Sequence, residues 1–263
     1  MDALSRQVPV WTTLKIELDN RIARVTLNRP EKLNALSRQL MSEIVELGAW
    51  LKLREDIRVV ILSGAGRSFC AGFDLNDFSS ASDGESPRQA ADLGRLATNA
   101  LTDVPQLTIA AVHGHCVGGG VVFVAACDLR VATNETTFII PEVDLGIPLA
   151  WGGIPRLVRE IGPALTKELV LTCRPFGADE AKAIGFINQV VAASDLDRTV
   201  SDLATNLAAK TLYSLHSTKQ QVNAVMEEIA GTGRSAGDAD MLVYAMRDTE
   251  SREATARYLA QRK

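Results

Sequence analysis

Two glycine-bearing corners carry the residues best placed to do chemistry. The run His113-Gly114-His115-Cys116-Val117-Gly118-Gly119-Gly120-Val121-Val122 ends an apolar strand, turns on three glycines and continues as an apolar helix. Glycine permits the φ values and close approaches that a side chain forbids. The first helical turn adds N–H groups without intrahelical acceptors and the positive end of the helix dipole. Such a corner suits an anion or a developing oxyanion, and it serves equally as a packing device between strand and helix. Upstream, Gly64-Ala65-Gly66-Arg67-Ser68-Phe69-Cys70-Ala71-Gly72-Phe73-Asp74 follows the apolar run Val59-Val60-Ile61-Leu62. Two separate backbone turns can therefore face one carbonyl oxygen.

Strands must aim those corners and helices must back them. Leu14 to Leu18 and Ile22 to Leu27 read as strands about an Asp19-Asn20 turn, and Ile57 to Leu62 and Leu107 to Val112 as buried strands. Leu36, Leu40, Ile44, Leu47 and Leu51 form the stripe of a helix with Ser37 near its start. Leu93 to Leu101 and Val121 to Ala126 read as helices, and Ser79 to Pro87 as a polar, mobile loop. Leu129 to Ala132 and Thr137 to Ile140 are further strands around Asn134-Glu135. Beyond Pro155 the pattern is helical, including Ala178 to Ala183 before a stop at Gly185; Ile187 to Val191 is a strand, and Leu196 to Lys263 is helical throughout. Repeated strand-then-helix units predict an α/β fold.

Composition bounds the function. A chain of 263 residues, 46% hydrophobic and 23% charged, suffices for one large globular domain with a small appendage. A formal net charge of −4 provides no basic field for nucleic acid, though a local patch for a phosphate is compatible with it. No window reaches the ~20 apolar residues of a membrane span. Met1 to Trp11 lacks the layout of a signal peptide, so a cytoplasmic protein is expected. Cys70, Cys116, Cys127 and Cys173 sit in apolar settings and read as reduced core residues. With His113, His115 and His216 they make no metal-ligand spacing, and no metal is expected.

The ordered motifs Val25-Thr26-Leu27-Asn28-Arg29-Pro30-Glu31-Lys32-Leu33-Asn34-Ala35-Leu36, Ser68 to Leu75, the triple glycine, Ala126-Cys127-Asp128-Leu129-Arg130 and Pro141-Glu142-Val143-Asp144-Leu145-Gly146-Ile147 resemble the crotonase superfamily, the enoyl-CoA hydratase/isomerase family. The resemblance runs from about Leu14 to Val191 and continues loosely into the C-terminus. It implies a spiral of ββα units over residues 1–195, carrying the acyl-CoA site, and a helical oligomerisation region over 196–263. It also implies a homotrimer or a dimer of trimers, and no cofactor apart from the coenzyme A of the substrate. The implied oxyanion hole is made by the backbone amides of Phe73 and Gly119. The implied coenzyme A contacts lie along Lys32, Asn34, Ala35 and Leu36 and along Arg67, Ala71 and Asp74. Arg29, and Lys219 from the late helices, are further candidates to meet phosphates, and Phe73, Leu75 and Trp151 to pack on the acyl group.

The acids separate reactions within the family. By resemblance, hydratases place one glutamate three residues after the middle glycine and a second in the Pro-Glu segment. Here the first position is Val122 and the second is Glu142. A valine neither accepts a proton nor orients water, so a single base, Glu142, is left to move a proton between two carbons of an enoyl thioester. Several acids serve the dienoyl-CoA isomerase branch, but the relevant positions here are Val122 and Ala150, which leaves Asp144 as a turn or capping residue. His113 reads as a structural hydrogen bonder, and His115 as a strand-end histidine near the pocket. Trp151 resembles a feature of some acyl-CoA decarboxylases. Single-base double-bond isomerisation is the favoured expectation; the alternatives are hydration, decarboxylation, or a catalytically silent acyl-CoA-binding protein.

Overall fold

Strands that are apolar on both faces need cover on both sides, and that requirement organises the molecule. A computed structural model describes residues 8–74, 77 and 86–260. The strands are β1 (Leu14–Asp19), β2 (Ile22–Leu27), β3 (Val59–Gly64), β4 (Leu107–Val112), β5 (His115–Val117), β6 (Leu129–Thr133), β7 (Thr137–Ile139), β8 (Phe176–Gly177) and β9 (Gln189–Val191). One sheet has the order β1-β2-β3-β4-β6-β9, antiparallel between β1 and β2 and parallel from β2 onward. A smaller sheet joins β5, β7 and β8.

Alternation along the parallel strands splits the apolar residues cleanly. Val25, Val60, Leu62, Ala110, Val112 and Ala132 enter the main core, while Ile22, Val59, Ile61, Ile109, Ala111 and Val131 face a second cluster. The main core takes Leu40, Ile44, Leu47 and Leu51 from α1 (Arg38–Leu51), whose Ser37 cap accepts the Leu40 amide at 3.2 Å. The second cluster is closed by Val200, Ala204 and Ala208 of α6 (Leu196–Ala208). The intervening helices are α2 (Pro87–Thr102), with a Ser86/Gln89 capping box, α3 (Gly119–Ala126), α4 (Gly153–Thr172) and α5 (Ala178–Ala183). The C-terminal helices are α7 (Leu212–Ala230), α8 (Asp238–Ala245) and α9 (Thr249–Ala260).

Several boundaries differ from the sequence reading for local reasons. The strand expected from Ile187 begins at Gln189, because Asn188 caps Arg130 instead, its carbonyl Oδ1 accepting the Arg130 amide at 2.8 Å. The helix expected from Val121 begins at Gly119, which makes Gly119 the first helical residue. β5 and β8 were not expected; three and two residues are too short to show a period. Leu242 and Ala245, in the C-terminal region expected to mediate oligomerisation, are buried within the chain; Leu242 packs on Ala91 and Ala150. The expected mobile loop lies almost wholly in 78–85, outside the described residues, as does Leu75.

Candidate active site

The two corners lie side by side because the segment after β3 runs along β5. The Phe69 amide donates to the His113 carbonyl (2.8 Å), the Cys70 amide to His115 (3.1 Å) and the Val117 amide back to Cys70 (2.9 Å). Gly72, at φ +87°, comes so near this strand that a Cβ there would sit 3.0 Å from the Val117 carbonyl oxygen. On its other side the Leu36 amide donates to Gly72 and the Asp74 amide to Leu36. Those bonds flank Phe73, so the Phe73 amide points away from Leu36. At the second corner the amides of Val121 and Val122 turn back onto the Gly118 carbonyl. The Gly119 amide is left at the mouth of α3, where a helix has no acceptor of its own. Both corners border one cavity of about 270 Å³.

Glu142 lies on the loop that follows β7, and that loop is folded on itself by bonds from the Leu145 amide to Pro141 and the Ile147 amide to Glu142. Its carboxylate packs against Gly118: at φ +50°, a Cβ on that glycine would lie 2.5 Å from Glu142 Oε1. Glu142 Oε2 is shut away from solvent and has no hydrogen-bond partner among the described residues. Burial therefore dominates its ionisation and pushes the pKa up to about 7, with its own backbone amide pulling weakly the other way. Among the described residues lining the cavity, which also include Val122, Ala150 and Trp151, Glu142 is the one carboxylate. Val122 is fully buried one turn into α3 and Ala150 is buried beside it in the lining, so neither acid position is filled.

The other sequence candidates fall into distinct roles. Asn34 is buried, and its side chain donates to the carbonyls of Ala65 and Ser68 while accepting the Arg29 amide, which ties the first motif to the Gly64 corner. Asp74 is ion-paired with Arg29 at 2.8 Å, and Arg29 also bonds the Ala35 carbonyl. Leu36 is buried against Gly119, and the Ala71 amide donates to Leu33. Lys32 and Arg67 are exposed. Lys219 is not available to a phosphate: its ammonium is buried on Asp128 (2.7 Å) and the Gln106 carbonyl (2.8 Å). Asp144 is exposed on the loop, outside the cavity lining. His113 Nε2 lies 2.9 Å from the Gly66 carbonyl and His115 is exposed on β5. All four cysteines are free and buried, and burial pushes the Cys70 and Cys127 thiols up to about 12, which removes the thiolate.

Two features escaped the sequence reading. Arg38, the first residue of α1, lines the cavity; its only signal was its place beside the Lys32 to Leu36 segment. Arg156 is buried, and burial lowers its pKa to about 10. Its guanidinium bonds the carbonyls of Trp151 (3.3 Å) and Gly152 (3.2 Å) and the Asn99 side chain (2.9 Å), so it holds the loop that places Trp151.

A mixed α/β core thus brings the Phe73 corner, the Gly119 corner and the Glu142 carboxylate to the lining of one cavity. The family model for enoyl-CoA hydratase/isomerase matches residues 17–263, and the chain belongs to that family. A peroxisomal Delta(3,5)-Delta(2,4)-dienoyl-CoA isomerase of Arabidopsis thaliana is 37% identical, over 80% of this chain and 81% of that protein. A short-chain-enoyl-CoA hydratase of Clostridium acetobutylicum is 34% identical over 81% of each chain. The crystal structure of a Thermobifida fusca protein described as an enoyl-CoA hydratase, in complex with acetoacetyl-CoA, superposes with a TM-score of 0.76 at 28% identity, covering 89% of this chain and 95% of that one. No helix among the described residues is long and apolar enough to cross a membrane.

Proposed function

We propose that this chain moves a double bond along the acyl chain of an enoyl-CoA, with Glu142 as the only acid/base. The observation that carries the reading is the single carboxylate among the described residues of the cavity lining, held near neutrality by burial while the other acid positions are Val122 and Ala150. In this reading the thioester oxygen accepts hydrogen bonds from the Phe73 and Gly119 amides. Glu142 takes a proton from C2 of a 3-enoyl thioester; the C–H pair flows into the carbonyl and forms a dienolate. The same proton returns from Glu142 to C4 as the charge collapses, leaving the double bond between C2 and C3. No water is consumed, and one group near pKa 7 suits both proton transfers. Each oxyanion donor is worth about 2.7–4 kcal/mol to such a step.

The acetoacetyl-CoA held by the Thermobifida fusca relative supports an acyl-CoA ligand. Its coenzyme A portion would run along Lys32 to Leu36 and Ala71, with Lys32 and Arg67 available to phosphates. Arg29, Asn34 and Asp74 shape that wall through the bonds they make within the chain. The expected assembly is a homotrimer or a dimer of trimers. The test is a panel of 3-enoyl-, 2-enoyl- and malonyl-CoA thioesters with wild type and Glu142→Gln. Isomerisation of the 3-enoyl substrate that collapses in Glu142→Gln is the expected result. Efficient hydration of the 2-enoyl substrate that survives Glu142→Gln, malonyl decarboxylation, or tight binding with no turnover would each overturn it.

A further inference from the structure

The backbone at Trp151 is unusual for so bulky a side chain. Its φ is +61°, followed by Gly152 at +70°, and a large aromatic in the left-handed region is an outlier that its surroundings must enforce. They do so from two sides, through the Arg156 bonds to the Trp151 and Gly152 carbonyls and through Asp238, which accepts the Gly152 amide at 2.8 Å. The result is that the indole is driven into a slot between two glycines of different helices. A Cβ on Gly94 of α2 would lie 2.0 Å from the ring at Cε2, and one on Gly119 would lie 2.3 Å from Cζ3. The same ring meets Phe73 edge-on, with centroids 5.9 Å apart and planes at 77°. The indole thus touches both residues of the oxyanion corners and closes the cavity on the Gly94 side.

We propose, resting on the acyl-CoA reading above, that Trp151 is the specificity-determining residue for the acyl group: it fills the space that a longer chain would enter, and restricts the site to short apolar acyl thioesters. The cavity that the ring borders measures about 270 Å³. The described lining away from Arg38 and Glu142, with Ala90, Ala91, Leu149 and Leu242, offers an apolar chain contact. Gly94 is the second half of the device, since only a residue without a Cβ lets the ring lie flat on α2.

The test is made by calorimetric binding of saturated butyryl-, octanoyl- and dodecanoyl-CoA, which need no turnover, together with kcat/KM for enoyl thioesters of matching length. Trp151→Gly suits the positive φ and empties the slot. It should raise the dodecanoyl-to-butyryl affinity ratio at least tenfold, since each methylene in an apolar pocket is worth ~10–200-fold. Gly94→Ala should push the ring into the cavity and lower the octanoyl-to-butyryl ratio at least tenfold; it decides the matter if Trp151→Gly does not fold. An unchanged length profile in the folded variants overturns the proposal even where isomerase activity persists. A shifted binding profile without turnover of any enoyl-CoA sustains it and overturns the isomerase reading instead.

Discussion

Replacing Glu142 by Gln separates what the buried carboxyl does for chemistry from what it does to stability. Burial moves its pKa from the ordinary 4.5 to about 7. At ~1.4 kcal/mol per pKa unit, that gap corresponds to ~3 kcal/mol set against the folded state once the group is ionised there. Below pH 4.5 the carboxyl is protonated folded or unfolded, and there is no penalty. Between 4.5 and about 7 the unfolded chain releases a proton that the folded chain keeps, so stability declines as pH rises, and above 7 the full penalty is in place. Gln is neutral at every pH and escapes it. The stability of Glu142→Gln relative to wild type should therefore grow by ~2.5 kcal/mol between about pH 5 and pH 8. Urea unfolding followed by tryptophan fluorescence, at one protein concentration, measures this directly. At pH 8, where Glu142 is ionised, kcat should lie ~10²–10⁴ below wild type, the usual worth of a general base. A stability difference that stays constant within about 0.5 kcal/mol from pH 5 to pH 8 refutes the desolvated-carboxylate argument, whatever the activity does.

The kcat/KM of isomerisation should rise with pH and level off above about 7, because Glu142 must be ionised to take the first proton; a flat profile between pH 5 and 9 assigns the base elsewhere. Gly118→Ala places a methyl 2.5 Å from Glu142 Oε1 at a φ of +50°, and it should cut kcat at least tenfold with far-UV circular dichroism unchanged; wild-type kcat would show that the carboxylate does not need its seat on that glycine. On α7 and α8, Tyr213 (83%), Ile229 (72%) and Tyr244 (73%) are largely exposed in the single chain. Sedimentation equilibrium at micromolar concentration should give a trimer or hexamer that covers them, and a monomer would count against it.

Much of the fold was legible because the core is periodic. Leu40, Ile44, Leu47 and Leu51 share one helix face whatever the tertiary context, and the alternating pairs Val59/Val60 and Ile61/Leu62 belong to a strand covered on both sides. β5 was invisible for the opposite reason: its three residues pair with β7 and lie beside Cys70 only after both corners are folded. Phe73 and Gly119 were named only through the family resemblance, and the fold brings both to the lining of one cavity. Arg156 and the Gly94 contact were not readable. The guanidinium bonds its own helix start and a residue 57 positions away, and Gly94 within α2 differs from any helical glycine only because an indole rests on it. Lys219 shows the limit of charge counting, because a lysine that looks like a surface cation is fully engaged by Asp128 and a carbonyl.

The absence of an acid at Val122 does more than remove a water-binding group. Every residue of α3 is buried and apolar or glycine, so an ionised carboxylate at residue 122 would border the same cavity as Glu142. Each would raise the other's pKa, beyond what burial already does, unless a proton or water were shared between them. A paired site of that kind suits a reaction in which water is split between a base and an acid. With valine there, burial sets Glu142 close to neutrality against the weaker pull of its own backbone amide. Under the proposed function, the proton it takes meets no second carboxylate among the described residues of the cavity lining, and it would go back to the carbon chain held by the Phe73 and Gly119 amides.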